Sequence, residues 1–165
     1  MKKNSKVIGA LTAAMLALAV GANAEPLAKR GSYSGVFGWY ISSGQNVEID
    51  KDHLVWGGVA SGAFRNDAGG GFLHAAIAAC TFSGEFKKDA VTHNNGDCVA
   101  TDPDGDKASL AWKCTSCPGT GELVWTGGTG KYAGIKGRGT FVQTDAGPPG
   151  SNAGWSVWKG QWELP

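Results

Sequence analysis

The glycine-rich segment 127–140 is the densest candidate for phosphate chemistry in the chain. It reads GGTGKYAGIKGRGT. A phosphate-binding loop needs Ser or Thr after its lysine at the start of a helix, but here Tyr132 follows Lys131. A dinucleotide-binding loop needs G-x-G-x-x-G within a βαβ unit, and neither that spacing nor that unit is found. We therefore interpret the segment as a turn between strands, whose glycines accept positive φ angles.

An acidic turn, DPDGD at residues 102–106, offers oxygen ligands of the kind that calcium prefers. An EF-hand loop would place its glycine later and a glutamate at the twelfth position, where this chain has Lys113. A plain turn between strands is the favoured interpretation. The sequence predicts no metal site and no cofactor.

Four cysteines predict two disulfides in an oxidising compartment, with three possible pairings. We favour Cys80 with Cys98, which lie on candidate neighbouring strands, and Cys114 with Cys117 as a local loop. The latter pair has the spacing of a redox motif, but Pro-Gly and not a helix follows it, so a structural disulfide is favoured. Zinc would need a second pair with matching spacing.

His74 is the one candidate catalytic residue. If 71–86 is a strand, His74 shares an inward face with Phe72, and it could orient a ligand or act as a general base. A hydrogen-bonded core or surface histidine is the commoner case. The seven tryptophans fill a core or form a stacking platform. The candidate ligand-binding residues are Trp56, Phe72, His74, Trp158 and Trp162.

The N-terminus has the pattern of an export signal. Lys2, Lys3 and Lys6 precede an apolar run over 7–20 and the sequence Ala-Asn-Ala at 22–24. An uncleaved anchor is the alternative, but the run is shorter than the roughly 20 residues that span a membrane. We expect a signal peptide at 1–24, one domain at 25–165, and a periplasmic or secreted protein.

The remainder of the chain carries 12 basic and 14 acidic residues, since three of the 15 basic residues and none of the 14 acidic ones lie in the first 24. This balance argues against a nucleic-acid partner. No second apolar run is long enough to span a membrane. Short apolar runs alternate with Gly, Asn, Asp and Pro, which predicts an all-β domain of about eight strands in a barrel or sandwich. The candidate strands are 33–41, 47–49, 54–64, 71–86, 90–93, 97–101, 107–113, 120–126, 139–144 and 155–164.

From Cys80 to Thr140 the order of motifs resembles the allene oxide cyclase and dirigent-type barrels, and most closely small exported bacterial proteins of that class. A cysteine-containing strand, the acidic turn and the glycine-rich segment follow one another. The motif residues are Gly127, Gly128, Gly130, Tyr132, Gly134 and Gly137. The resemblance implies an eight-stranded antiparallel, lipocalin-like barrel with an apolar cavity. It also implies a homo-oligomer, since the plant relatives often form trimers. The plant enzymes act on oxylipins or phenolic intermediates.

Three functions are compatible with this sequence. The leading expectation is a barrel that binds a small hydrophobic molecule in its interior. An isomerase or cyclase of the allene oxide cyclase type is the second, in which a confined cavity selects one ring closure. A structural or surface-interaction protein with a filled barrel is the third. The state of the barrel interior distinguishes them.

Overall fold

Apolar side chains alternate with polar ones along each strand, and the apolar set points into a barrel closed by hydrogen bonds between the first and last strands. A computed structural model describes residues 27–114, 116–148 and 150–165. Its eight antiparallel strands pair in chain order around the barrel. They are β1 (Arg30–Asp50), β2 (His53–Asn66), β3 (Ala76–Lys87), β4 (Ala90–Thr101), β5 (Lys107–Lys113), β6 (Thr120–Gly128), β7 (Lys136–Asp145) and β8 (Ala153–Glu163).

The prediction of an eight-stranded, all-β antiparallel barrel is confirmed. The predicted signal peptide, 1–24, lies outside the described residues. Within the described part of the chain, no helix is long and apolar enough to cross a membrane.

The predicted short strand 47–49 is the far end of β1. This strand runs for 21 residues and stays paired with β2 from Gly35 to Asp50. Two shifts of register, between Ile41 and Ser43 and between Glu48 and Asp50, allow it to continue. Such bulges bend a strand without ending it, so the polar residues after Ile41 do not break it.

The Asn-Asn-Gly segment at 94–96 is not a turn, and the predicted break between 90–93 and 97–101 is wrong. Both pieces belong to β4. A Cβ atom at Gly96 would collide with the carbonyl oxygen of Thr81 on β3. Glycine is therefore needed here for the close approach of two strands.

The strand predicted over 71–86 starts five residues later in the structure, where β3 begins at Ala76. Residues 71–75 instead form turns that fold over one end of the barrel, and we call them the plug. Leu73 and Ala75 have positive φ angles of 51° and 59°, which cost about 1–2 kcal/mol each. Burial of Phe72 and Leu73 is worth about 1.5–3 kcal/mol for each side chain, which offsets that strain.

Aromatic side chains fill the plugged end of the barrel. Phe72 stacks on Trp162 with ring centroids 4.4 Å apart, and Tyr33 lies 5.0 Å from Phe72. Tyr132, from a single 3₁₀ turn (Gly130–Tyr132), packs edge-on against Phe72 at 5.8 Å. This end of the interior is packed by rings from the plug, the 3₁₀ turn and the strands.

Both predicted disulfides are present. Cys80 and Cys98 face each other across β3 and β4, inside the barrel, and Cys114 joins Cys117 after β5. The favoured pairing is confirmed, and no described cysteine is free.

Candidate functional site

The end of the barrel opposite the plug holds a cavity of about 180 Å³. We call it the open-end pocket. Sixteen residues line it, and seven of these are aromatic. The lining residues are Phe37, Trp39, Ile41, Trp56, Ala60, Cys80, Phe82, Asn94, Cys98, Leu110, Trp112, Leu123, Phe141, Gln143, Ser156 and Trp158.

Trp158 forms the floor of the pocket. Its ring packs against Phe37 at 5.2 Å and against Phe64 at 5.4 Å between centroids. Phe37 lines the pocket, whereas Phe64 lies fully buried beneath it. Trp158 therefore separates the pocket from the filled, plugged end.

Partly exposed tryptophans form the rim. Trp39, Trp56 and Trp112 are each half-buried, in contrast to the buried floor residues. The Trp56 indole lies where a side chain at Gly84 of β3 would be. A glycine on the neighbouring strand thus provides the space in which this ring lies flat against the barrel wall.

Two polar side chains form one patch of the pocket wall. Ser156 of β8 is only 4% exposed, and its hydroxyl makes no hydrogen bond to another described residue. Gln143 of β7 is its partner in the strand register. The Gln143 amide Nε2 donates to Asp145 Oδ1 at 3.3 Å, which leaves the Gln143 carbonyl oxygen as an acceptor. We call this pair the Ser156–Gln143 wall.

Asn94 of β4 supplies the third polar group. Because β4 lies four strands from β8 in either direction around the barrel, Asn94 is on the wall opposite Ser156. None of the sixteen lining residues is Asp, Glu, His, Lys, Arg or Tyr, and both cysteines are joined in a disulfide. The pocket is therefore mostly apolar, with one hydroxyl, two side-chain amides and the indole N–H groups as its neutral hydrogen-bonding groups.

The structure brings together two of the five predicted ligand-binding residues. Trp56 and Trp158 line the pocket. Phe72 and Trp162 stack on each other in the plugged end. His74 belongs to the plug and not to a strand, and its buried Nδ1 has no hydrogen-bond partner among the described residues.

Sequence reasoning missed Ser156 and Gln143. Ser156 lies two residues before Trp158 on β8, so strand alternation alone places both on the same face. Gln143 follows Phe141 by the same interval on β7. The signal for both residues was present, although it did not stand out because serine and glutamine are ordinary on exposed strand faces.

The glycine-rich segment and the acidic turn, considered separately for phosphate and calcium, bind each other. Lys131 Nζ lies 2.6 Å from Asp102 Oδ2 and 2.5 Å from Asp104 Oδ2. The Lys131 backbone N–H donates to Asp106 Oδ2 at 3.0 Å. A Cβ atom at Gly130, whose φ is +52°, would collide with the Asp106 carboxylate. These motifs join the β4–β5 turn to the 3₁₀ turn.

Asp102 is the buried member of this ion pair, with a side chain 2% exposed. Its Oδ1 accepts hydrogen bonds from the backbone N–H groups of Asp104 and Asp106. Burial works to raise the pKa of Asp102, but the hydrogen bond from Lys131 and the attraction of its charge outweigh burial and lower that pKa. Burial works to lower the pKa of Lys131, and its two carboxylate partners raise it above its usual range.

A second titratable cluster lies on the outer wall. Glu85 Oε1 is 2.8 Å from His53 Nε2, and Glu85 Oε2 is 3.8 Å from His93 Nδ1. The Thr92 hydroxyl donates to Glu85 Oε2 at 2.5 Å, and this bond, followed by that of His53, lowers the pKa of Glu85. Across the described ranges, no three His, Cys, Asp or Glu side chains are arranged to hold a metal ion.

The chain matches no protein-family model, no curated protein and no solved structure. The resemblance to the allene oxide cyclase and dirigent-type barrels therefore stays a prediction from motifs.

Proposed function

We propose that this protein binds a small hydrophobic molecule in the open-end pocket. The observation that carries the proposal is the division of the barrel interior, which is packed with rings at one end and holds a cavity of about 180 Å³ at the other. Binding sites for small molecules are concave, mostly apolar and equipped with a few polar groups, and the pocket has these properties.

The lining favours binding over catalysis. General acid–base chemistry needs a titratable side chain within hydrogen-bond reach of the reacting group. None of the sixteen lining side chains titrates in the ordinary range. An isomerase or cyclase would have to work by confinement alone, which makes the cyclase the weaker proposal. The cavity also argues against the filled-barrel alternative.

Export is part of the proposal. Two disulfides in the described chain suit an oxidising compartment, where such bonds persist. Together with the predicted signal peptide at 1–24, they favour a periplasmic or secreted binding protein that meets its ligand outside the cytoplasm.

Titration with indene, a neutral apolar bicyclic hydrocarbon, tests the proposal. Four tryptophans line the pocket, so a bound molecule should change their emission, and calorimetry gives the affinity. Ala60→Leu adds three carbons inside the pocket and should weaken binding at least about tenfold through loss of space.

Ala79→Leu is the matched control, because it adds the same atoms to the exposed face of β3. It should bind indene as the wild type does. Absence of saturable binding of both indene and indole by the folded wild type, or equal binding of indene by Ala60→Leu, would contradict the proposal.

A further inference from the structure

We infer that the ligand is a neutral, flat aromatic molecule of one or two fused rings whose polar edge donates a hydrogen bond to the Ser156–Gln143 wall. This inference rests on the proposed function and adds size, charge and orientation to it. Four features of the open-end pocket carry the inference: its volume, its rings, its lack of charge and its unpaired acceptors.

The volume sets the size of the ligand. The cavity measures about 180 Å³, whereas a dry cavity of about 150 Å³ is known to hold benzene, and sites for drug-sized ligands run from about 300 Å³ upward. One ring or a compact pair of fused rings fits this space. A long acyl chain would extend out of the pocket mouth.

The lining sets the shape. Aromatic side chains come from six of the eight strands, so rings surround the cavity. Trp112 and Phe141 already meet edge to face with centroids 6.1 Å apart. Aromatic rings prefer such offset or edge contacts at about 4.5–7 Å, and these contacts contribute beyond simple burial. A flat aromatic ligand makes more of these contacts than an aliphatic molecule of equal volume.

The absence of ionisable groups sets the charge. None of the sixteen lining side chains within the described part of the chain carries a charge that could pair with a carboxylate or an ammonium group. A charged ligand would lose its hydration without gaining a counter-ion, which is strongly unfavourable. The pocket therefore selects neutral molecules.

The Ser156–Gln143 wall sets the orientation. Ser156 as a residue is 4% exposed, and its hydroxyl lines the pocket without a hydrogen bond to another described residue, so its oxygen is available to a ligand donor. The Gln143 amide nitrogen is engaged by Asp145, so its carbonyl oxygen and the Ser156 oxygen are both acceptors. A ligand N–H placed at this wall donates to the Ser156 oxygen, beside the Gln143 carbonyl, and the rest of the ring system lies over the tryptophans.

Calorimetric titration of the disulfide-bonded protein with three probes tests the inference. Indole and indene have nearly the same shape, but only indole has an N–H. Indole should bind about fivefold more tightly, as expected for one net hydrogen bond. Indole-3-carboxylate, which is charged at pH 7, should bind at least about a hundredfold more weakly than indole, because its charge is desolvated.

Ser156→Ala identifies the partner of the N–H. The ratio of indole to indene affinity should fall from about five to about one when the hydroxyl is removed. Ser32→Ala, on the exposed face of β1, should keep the wild-type ratio. A folded Ser156→Ala protein with an unchanged ratio would overturn the assignment of this wall.

The outcomes separate the two proposals. If neither indole nor indene binds, the proposed function fails and the inference fails with it. If both bind equally well to the wild type, or if indole-3-carboxylate binds as well as indole, the pocket is a binding site and the inference about its ligand is wrong.

Discussion

The ion pair between Asp102 and Lys131 shows how two suggestive motifs serve the fold. Its carboxylate is almost completely buried, and its cation is 27% exposed. A buried pair gains little over apolar residues, but removal of one partner leaves a charge without compensation. This residue pair therefore holds the acidic turn against the 3₁₀ turn.

We predict that Asp102→Asn destabilises the protein and that Asp104→Asn hardly does. Asn keeps the shape of Asp102 but leaves Lys131 without its buried counter-charge, so the free energy of unfolding should fall by about 2–3 kcal/mol. Asp104 has a side chain 48% exposed, and its substitution should cost no more than about 1 kcal/mol. Urea denaturation at pH 7 measures both.

The pH dependence of this difference follows from the two pKa shifts. Folding lowers the pKa of Asp102. The contribution of Asp102 to the free energy of unfolding is therefore complete above the pKa of an unfolded aspartate, about 3.9. It is lost as the pH falls through the lower pKa of the folded state. Folding raises the pKa of Lys131. The contribution of Lys131 to the free energy of unfolding is therefore complete below the pKa of an unfolded lysine, about 10.4, and is lost as the pH rises through the higher pKa of the folded state. If the wild type and Asp102→Asn differ as much in free energy of unfolding near pH 2 as at pH 7, the charge of Asp102 does not cause the difference.

At the residue scale, the sequence predicted pairings better than positions. Cys80 and Cys98 were matched because neighbouring strands bring opposite residues together, and the structure agrees. His74 was misplaced because the left-handed backbone at Leu73 and Ala75 turns the chain before β3. No local preference of Leu or Ala predicts that conformation, which depends on the burial of the plug in a barrel end assembled from distant strands.

At the scale of elements, strand alternation was the reliable signal. Trp158 and Trp162, both candidate ligand-binding residues, are an even number of positions apart, and the structure buries both on one face of β8. Turn residues were the unreliable signal, because the Asn-Gly pair at 95–96 lies within β4. Glycine serves both turns and close approaches between strands, and only the tertiary structure distinguishes them.

The plug is held by Tyr132, whose hydroxyl accepts a hydrogen bond from the backbone N–H of Leu73 at 3.2 Å. Burial of this ring raises the pKa of Tyr132 to about 12. We predict that Tyr132→Phe leaves the Leu73 N–H buried and unpaired, at a cost of about 1–2 kcal/mol. Hydrogen exchange at Leu73 should accelerate, because the plug opens more easily.

Tyr40→Phe is the control for this prediction, since Tyr40 is exposed on the outside of β1. It should leave both stability and exchange at Leu73 unchanged. If Tyr132→Phe behaves in the same way, the plug does not depend on this hydrogen bond.

The two ends of the barrel should respond oppositely to added volume. Ala108 is completely buried beside the packed rings of the plugged end, so Ala108→Leu should lower the free energy of unfolding by about 1–3 kcal/mol through overpacking. Ala60 lines the open-end pocket, so Ala60→Leu should be neutral or slightly stabilising, because it fills space. Thermal unfolding of the two variants compares them directly, and equal destabilisation would mean that the pocket has no room for added atoms.

At the scale of the whole molecule, the pocket proposed to hold the ligand is also lined by the Cys80–Cys98 disulfide. Cys80 and Cys98 both line the open-end pocket and are 5% and 3% exposed. The wall of the barrel covers them from outside, so a reductant reaches the sulfur atoms through the pocket mouth. An occupied pocket should therefore shield the disulfide that helps to form it.

We predict that saturating indole slows the reduction of Cys80–Cys98 by dithiothreitol at least about tenfold, since occupation at tenfold above Kd leaves about one pocket in eleven free. Cys114–Cys117 is the internal control, because it lies outside the pocket lining and Cys117 is partly exposed. Its reduction should proceed at the same rate with and without indole. Alkylation of the freed thiols at timed intervals, followed by mass spectrometry of the peptides, measures both rates in one sample. If indole slows the reduction of both disulfides equally, it stabilises the fold in general. If it slows the reduction of neither, reductants reach Cys80–Cys98 by opening of the barrel and not through its pocket.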